Sequence, residues 1–132
     1  MDQIDLHLQE LNLRSCESPF STSHIPTTLL DSSYCIDIQT SNTGKDRDRD
    51  GIRMNHDVKI SIMKQHGLSP SKALIDIIKL ETSIIKNIMT QSKYPSVRCS
   101  YQNTSRALGI NEEYIISSLS FSIEESFSFT SI

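Results

Sequence analysis

The chain has 132 residues, 36% of them apolar and 22% charged, which suits one domain with tails or a small domain behind a disordered arm. Its net charge of −3, without any long basic run, argues against a protein held to nucleic acid mainly by phosphate contacts. No apolar stretch is long enough to predict a transmembrane helix, and MDQIDLHLQE lacks the basic-then-apolar pattern of a secretory leader.

Ile4, Leu6, Leu8, Leu11 and Leu13 give the first 13 residues their apolar character. The spacing Ile4-x3-Leu8-x2-Leu11-x-Leu13 resembles a leucine-rich nuclear export signal. The resemblance implies an exportin-type receptor as partner, with four apolar side chains entering successive pockets. The competing reading is a helix or strand that docks on the protein's own core.

From Arg14 to Asn42 the chain is rich in Ser and Thr, with Pro19 and Pro26. Tyr34-Cys35-Ile36-Asp37-Ile38 hints at a short strand, and Thr43 to Arg53 reads as a charged loop. Most of 14–55 buries too little apolar surface to offset its chain entropy, so poor order is expected. These features divide the chain into a flexible arm, 1–56, and a helical domain, 57–132. Asp46, Asp48 and Asp50, then Gly51 and Asp57, resemble an EF-hand loop with acids at positions 1, 3, 5 and 12 and glycine at 6. That resemblance implies weak calcium binding. Arg47 and Arg49 oppose it, Arg53 stands where an apolar residue is usual, and a solvated loop of alternating charge is the simpler reading.

Val58, Ile62 and Met63 suggest a short helix ended by Gly67. The strongest element follows, an amphipathic helix over 69–91. Ser69 can cap it, and Pro70 loses nothing at the first helical position. Ala73, Leu74, Ile75, Ile77, Ile78, Leu80, Ile84, Ile85, Ile88 and Met89 cover an arc of roughly 200° on its wheel. So wide an arc calls for partners on more than one side. Glu81 projects into that arc. It reaches water at an edge, pairs with Arg98 or Arg106, or meets a partner's cation.

Tyr94-Pro95-Ser96 breaks the chain. A third helix is expected from Ser96 to Leu108, stopped by Gly109, and a fourth from Asn111 with Ile115, Ile116 and Leu119 inward. Tyr94-Pro95-Ser96, Leu108-Gly109-Ile110 and Ile115 resemble the second half of a homeodomain. The resemblance implies a helix-turn-helix regulator of transcription. Glu112 and Glu113 would repel phosphates there, so a packing turn is the preferred reading. Leu119, Phe121, Ile123, Phe127 and Phe129 then follow a strand period, as a hairpin, a helix extension or a sticky tail.

Cys16, Cys35 and Cys99 are odd in number and outside any CxxC, which suggests reduced thiols in the cytoplasm or nucleus. His7, His24, His56 and His66 are dispersed, and with 22 serines a Ser/His pair has meaning only if seen in space. Neither a catalytic residue nor a cofactor is expected. The sequence thus predicts a mostly α fold, a bundle of three to four helices behind a disordered arm and a strand-like tail. It predicts a non-enzymatic regulatory or adaptor protein that shuttles between nucleus and cytoplasm and binds another protein. The contacts would be Ile4, Leu8, Leu11 and Leu13, together with Ile77, Glu81, Ile84 and Ile88, and the 69–91 helix would also be the seam of any homo-oligomer. DNA regulation and calcium binding are the alternatives.

Overall fold

The structure, a computed structural model, describes residues 2–10, 13–15, 33–46, 50–65, 70–91, 97–108 and 114–129. In chain order these form α1 (Asp2–Glu10), β1 (Arg14–Ser15), β2 (Ser33–Lys45), β3 (Gly51–Gln65), α2 (Pro70–Thr90), β4 (Val97–Leu108) and β5 (Tyr114–Ser128). The five strands make one sheet in the order β1-β2-β3-β5-β4. Only the β1–β2 pair is parallel. β3 and β4 both run antiparallel to β5, which lies between them, so β3-α2-β4 is a split crossover with α2 as the connecting helix.

The helical bundle is therefore wrong, and the physical reason differs by segment. Val58-x-Ile60-x-Ile62 alternates at the strand period, yet Val58, Ile62 and Met63 also fit a helix. All of them are buried because β3 lies inside the sheet. In β5, Ile115, Ile116, Ser117, Ser118 and Leu119 are buried in unbroken succession, so both faces are covered and alternation vanishes. In β4 a register shift between Tyr101 and Asn103 interrupts Val97-x-Cys99-x-Tyr101 before Thr104-x-Arg106 resumes it. The two helices expected over 96–119 are thus antiparallel strands, and the homeodomain-like turn has no helices to join. The strand-like tail belongs to β5. The boundary at 56/57 falls inside β3, and β2, within the expected arm, is a strand of 13 residues paired to β3.

α2 is the element that the sequence specified best, and the helix runs from Pro70 to Thr90 as its cap and period require. It lies on one face of the sheet. Ile84 and Ile88 pack in one cluster with Tyr34, Val58, Ile60, Ile62, Leu119, Phe121 and Ile123, while Ala73 and Ile77 meet Ile115. α1 joins the same layer through Leu8, which with Leu13 enters the main cluster. The Leu13 amide donates to the Leu8 carbonyl, closing the chain end of the helix. On the opposite face Cys35, Met63 and Ile116 form a smaller cluster, and the Ser61 and Ser118 hydroxyls share a buried hydrogen bond of 3.1 Å.

Candidate functional site: an outer strand and the helix flank above it

Three groups of side chains carry chemistry that the fold brings together. The first lies under α2. Glu81 is 2% exposed. Arg106, on the outer strand β4, approaches it with Nε donating to Oε1 at 3.0 Å and Oε2 at 2.8 Å and Nη2 donating to Oε1 at 2.6 Å. Ser117 of β5 donates its hydroxyl to Oε2 at 2.5 Å. The hydrogen bonds to Glu81 hold the Arg106 guanidinium above its usual pKa, against the opposing effect of burial. The cluster is a clamp between helix and sheet. The bidentate geometry fixes the rotation of α2, and the hydroxyl completes the carboxylate's solvation.

The second group crosses the end of the sheet. Ser41 and His56 lie directly opposite on β2 and β3, with Ser41 Oγ 2.8 Å from His56 Nδ1, and His56 Nε2 stands 3.4 Å from Glu125 Oε2 on β5. The connectivity is that of a serine, a base and an orienting acid. Its surroundings are those of a cross-strand ladder, because Thr40 donates to Asp57 at 2.6 Å one row away and Arg53 bridges Asp46 and Glu124. The Ser41 hydroxyl is exposed on an open strand. The described contacts bring to it no donors placed for an oxyanion. Sequence reasoning could not find this row, since residues 41, 56 and 125 are joined only by strand register.

The third group is a surface. β4 is the outer strand, and among the described residues no strand lies beyond it. Above it runs one flank of α2. Leu74, Ile78 and Met89 fall within about 60° of one another on the helical wheel, with Ile85 among them and Ile75 at the margin. Leu74, Ile75, Ile78 and Met89 are exposed, Ile75 by 54%. Lys72, Lys79 and Lys86 recur every seven residues along the adjoining ridge and are also exposed. α1 touches the other side of the helix, where His7 Nε2 and Ser83 Oγ are 3.5 Å apart. Two facts orient the bare flank toward β4: α1 also contacts β1, at the far edge of the sheet, and Glu81 reaches Arg106 on β4.

The residues expected to bind a partner are placed differently. Ile77, Glu81, Ile84 and Ile88 are buried in the protein's own interior. Leu8, at 0% exposure, and Leu13 lie in the same core. Ile4 is in α1, and Leu11 lies outside the described residues. Of the calcium-loop residues, Asp46 is buried at the end of β2, Asp50 is exposed in the turn, and Asp48 lies outside the described residues. Asp57 sits in β3, about 20 Å of extended chain beyond Gly51, and accepts from Thr40. An EF-hand loop needs its twelfth residue curled back onto the first five, and β3 carries it away. Among the described residues no three His, Cys, Asp or Glu side chains gather as metal ligands. No family model matches this chain, and no curated protein is similar to it in sequence.

Proposed function

We propose that the protein is a non-enzymatic module that works by contact with another protein, and that the contact is made by β4 and the flank of α2 above it. One observation carries this reading: four large aliphatic side chains, Leu74, Ile75, Ile78 and Met89, stay exposed in a row beside an outer strand. A helix face that borders on the core normally covers such residues, and a contiguous apolar strip next to a strand edge fits a partner that adds to both layers. Binding through Ile77, Ile84 and Ile88 would require α2 to leave its own sheet, so the contact moves to the opposite flank of the same helix. An exportin-like receptor would likewise have to extract Leu8 and Leu13 before using them.

The test is a substitution on the flank. Ile78→Asp removes apolar surface at an exposed position and should leave the melting temperature within a few degrees of the original. A binding partner recovered by the original chain and lost by Ile78→Asp supports the reading. Equal recovery by both proteins overturns it.

A further inference from the structure

We infer that the partner meets this surface with an acidic amphipathic helix, laid beside α2 and over the helix-side face of β4. The inference rests on the contact reading above and names what fills it. α2 touches β3, β5 and β4, and α1 touches α2 and β1. Among the described residues, then, the helical layer has a neighbour for α2 on the β1 side and none on the β4 side. On that side the flank of α2 is a wall and β4 a floor. Tyr101, Thr104 and Arg106 line the floor. Tyr101 is exposed and packs edge to face on buried Phe121, with ring centres 5.7 Å apart. Its hydroxyl meets that of Thr104, and Arg106 reaches up to Glu81. The contact is made by side chains and calls on no backbone group of β4.

The wall has the length and the period of a seat for a helix. Leu74 to Met89 spans about 22 Å, roughly four helical turns. Ile78 and Ile85 stand seven residues apart, and so do Lys72, Lys79 and Lys86. An apolar seam with a charged ridge in the same seven-residue step suits a second helix at a shallow crossing, with the ridge selecting the partner by charge. The three lysines are exposed. The acids of α2 are Asp76, which shares the side of Ser83 where α1 sits, and Glu81, which is buried and held by Arg106. The chain carries a net charge of −3, yet this ridge is uniformly positive. A second α2 would set lysine against lysine, whereas glutamates at a seven-residue spacing would meet the ridge.

The orientation of the strip favours a helix over a lipid surface. Lys79 lies roughly 160° around α2 from buried Ile77, so the lysines point away from the sheet and the apolar strip is turned sideways over β4. A flat anionic bilayer would reach the lysines and miss the strip. A single helix enters the step between wall and floor.

The probe is a synthetic helix of about three heptads with an aliphatic seam, made in two versions with glutamate or lysine beside the seam. Fluorescence anisotropy with the full chain should show the glutamate version binding and the lysine version not. Ile78→Asp should weaken that binding at least about tenfold with an unchanged melting curve. Lys79→Glu combined with Lys86→Glu should reverse the preference, so that the lysine version binds, a result that a merely sticky strip would not give. Neither version binding, both binding alike, or a preference that the charge reversal leaves in place overturns the inference. Co-sedimentation with phosphatidylserine vesicles that depends on Ile78 and Lys79, without binding of the glutamate helix, overturns it in favour of a membrane. Self-association of the original chain that Ile78→Asp abolishes, again without binding of that helix, overturns it in favour of a second copy. If the glutamate helix fails while another protein is still recovered through Ile78, the contact reading itself survives with a different occupant.

Discussion

β3 and β5 pass through two environments along one continuous ladder. Under α2, Val58, Ile60, Ile62, Leu119, Phe121 and Ile123 are buried against the helix. From the row of Ile123 outward, the same strands and β2 are supported by polar pairs: Ser41 with His56, His56 with Glu125, and Arg53 with Glu124. β2 is exposed from Asp37 to Lys45. Exposed polar and ionic pairs each contribute a few tenths of a kcal/mol up to about 1 kcal/mol, against roughly 1.5–3 kcal/mol for one fully buried aliphatic side chain. The backbone pairing is alike in both halves. The side chains therefore decide that the covered half holds the global stability and that the projecting half depends on its tip. There the Asp46 amide donates to the Gly51 carbonyl, and the Phe129 amide donates to the Asp50 carbonyl.

The largest way to break the covered half is Arg106→Ala. Glu81 would keep its buried position with only Ser117 to solvate it. Stranding one member of such a pair costs about 3–5 kcal/mol, read as a lower urea midpoint with an unchanged slope. Glu81→Leu combined with Arg106→Met removes both charges and should recover most of that loss. A double variant as unstable as Arg106→Ala alone would show that the clamp is not what holds α2 to the sheet. In the projecting half the comparable site is Gly51. A Cβ there would stand 1.9 Å from the Phe127 carbonyl oxygen, a backbone atom that cannot swing away. Gly51→Ala should cost roughly 1–3 kcal/mol through displaced strands. Hydrogen exchange should quicken at 51–55 and 125–129 and stay slow at 58–62. Quickening in both regions alike would mean the halves unfold as one.

How much of this was legible in the sequence follows the same division. α2 was readable because Ser69-Pro70 and a one-sided apolar period agree with burial on one face. Tyr34-x-Ile36-x-Ile38 carried the strand period of β2, but Thr40 to Lys45 carry none, because neither face of that segment is buried. The start of β5, Ile115 to Ser118, was hidden by the opposite cause, burial on both faces, whereas Leu119, Phe121 and Ile123 kept the strand period. Arg106 points inward from β4 to meet Glu81, so the one residue that explains the buried carboxylate also disguised its strand. The Glu81–Arg106 pair was among the readings that the sequence offered. The flank beside β4 was not, since the apolar arc looked like one surface until the sheet divided it into an inner and an outer part.

Thr40→Ala tests the projecting half more gently. It removes an exposed hydrogen bond to Asp57 and should change global stability by less than about 0.5 kcal/mol. A loss several times larger would move part of the stability out beyond the helix.

The smallest effect is expected at the border itself. Cys99 is buried on β4 opposite Ile123, in the last row that holds buried core residues before the partly buried Val97. Burial, and secondarily the charge of Glu125, raise its thiol above the ordinary value of 9.0. The folded protein then holds that proton more tightly than the unfolded chain. The resulting stabilisation is present below the unfolded thiol's pKa and is lost as pH rises through the folded one, so it fades only in alkaline solution. Alkylation of Cys99 near pH 8 should be slower than that of an unstructured thiol, and Glu125→Gln should accelerate it only in part because burial is the larger cause. Alkylation at the rate of a free thiol would mean that this row opens with the projecting strands, and the boundary between the two halves would then lie deeper under α2 than Ile123.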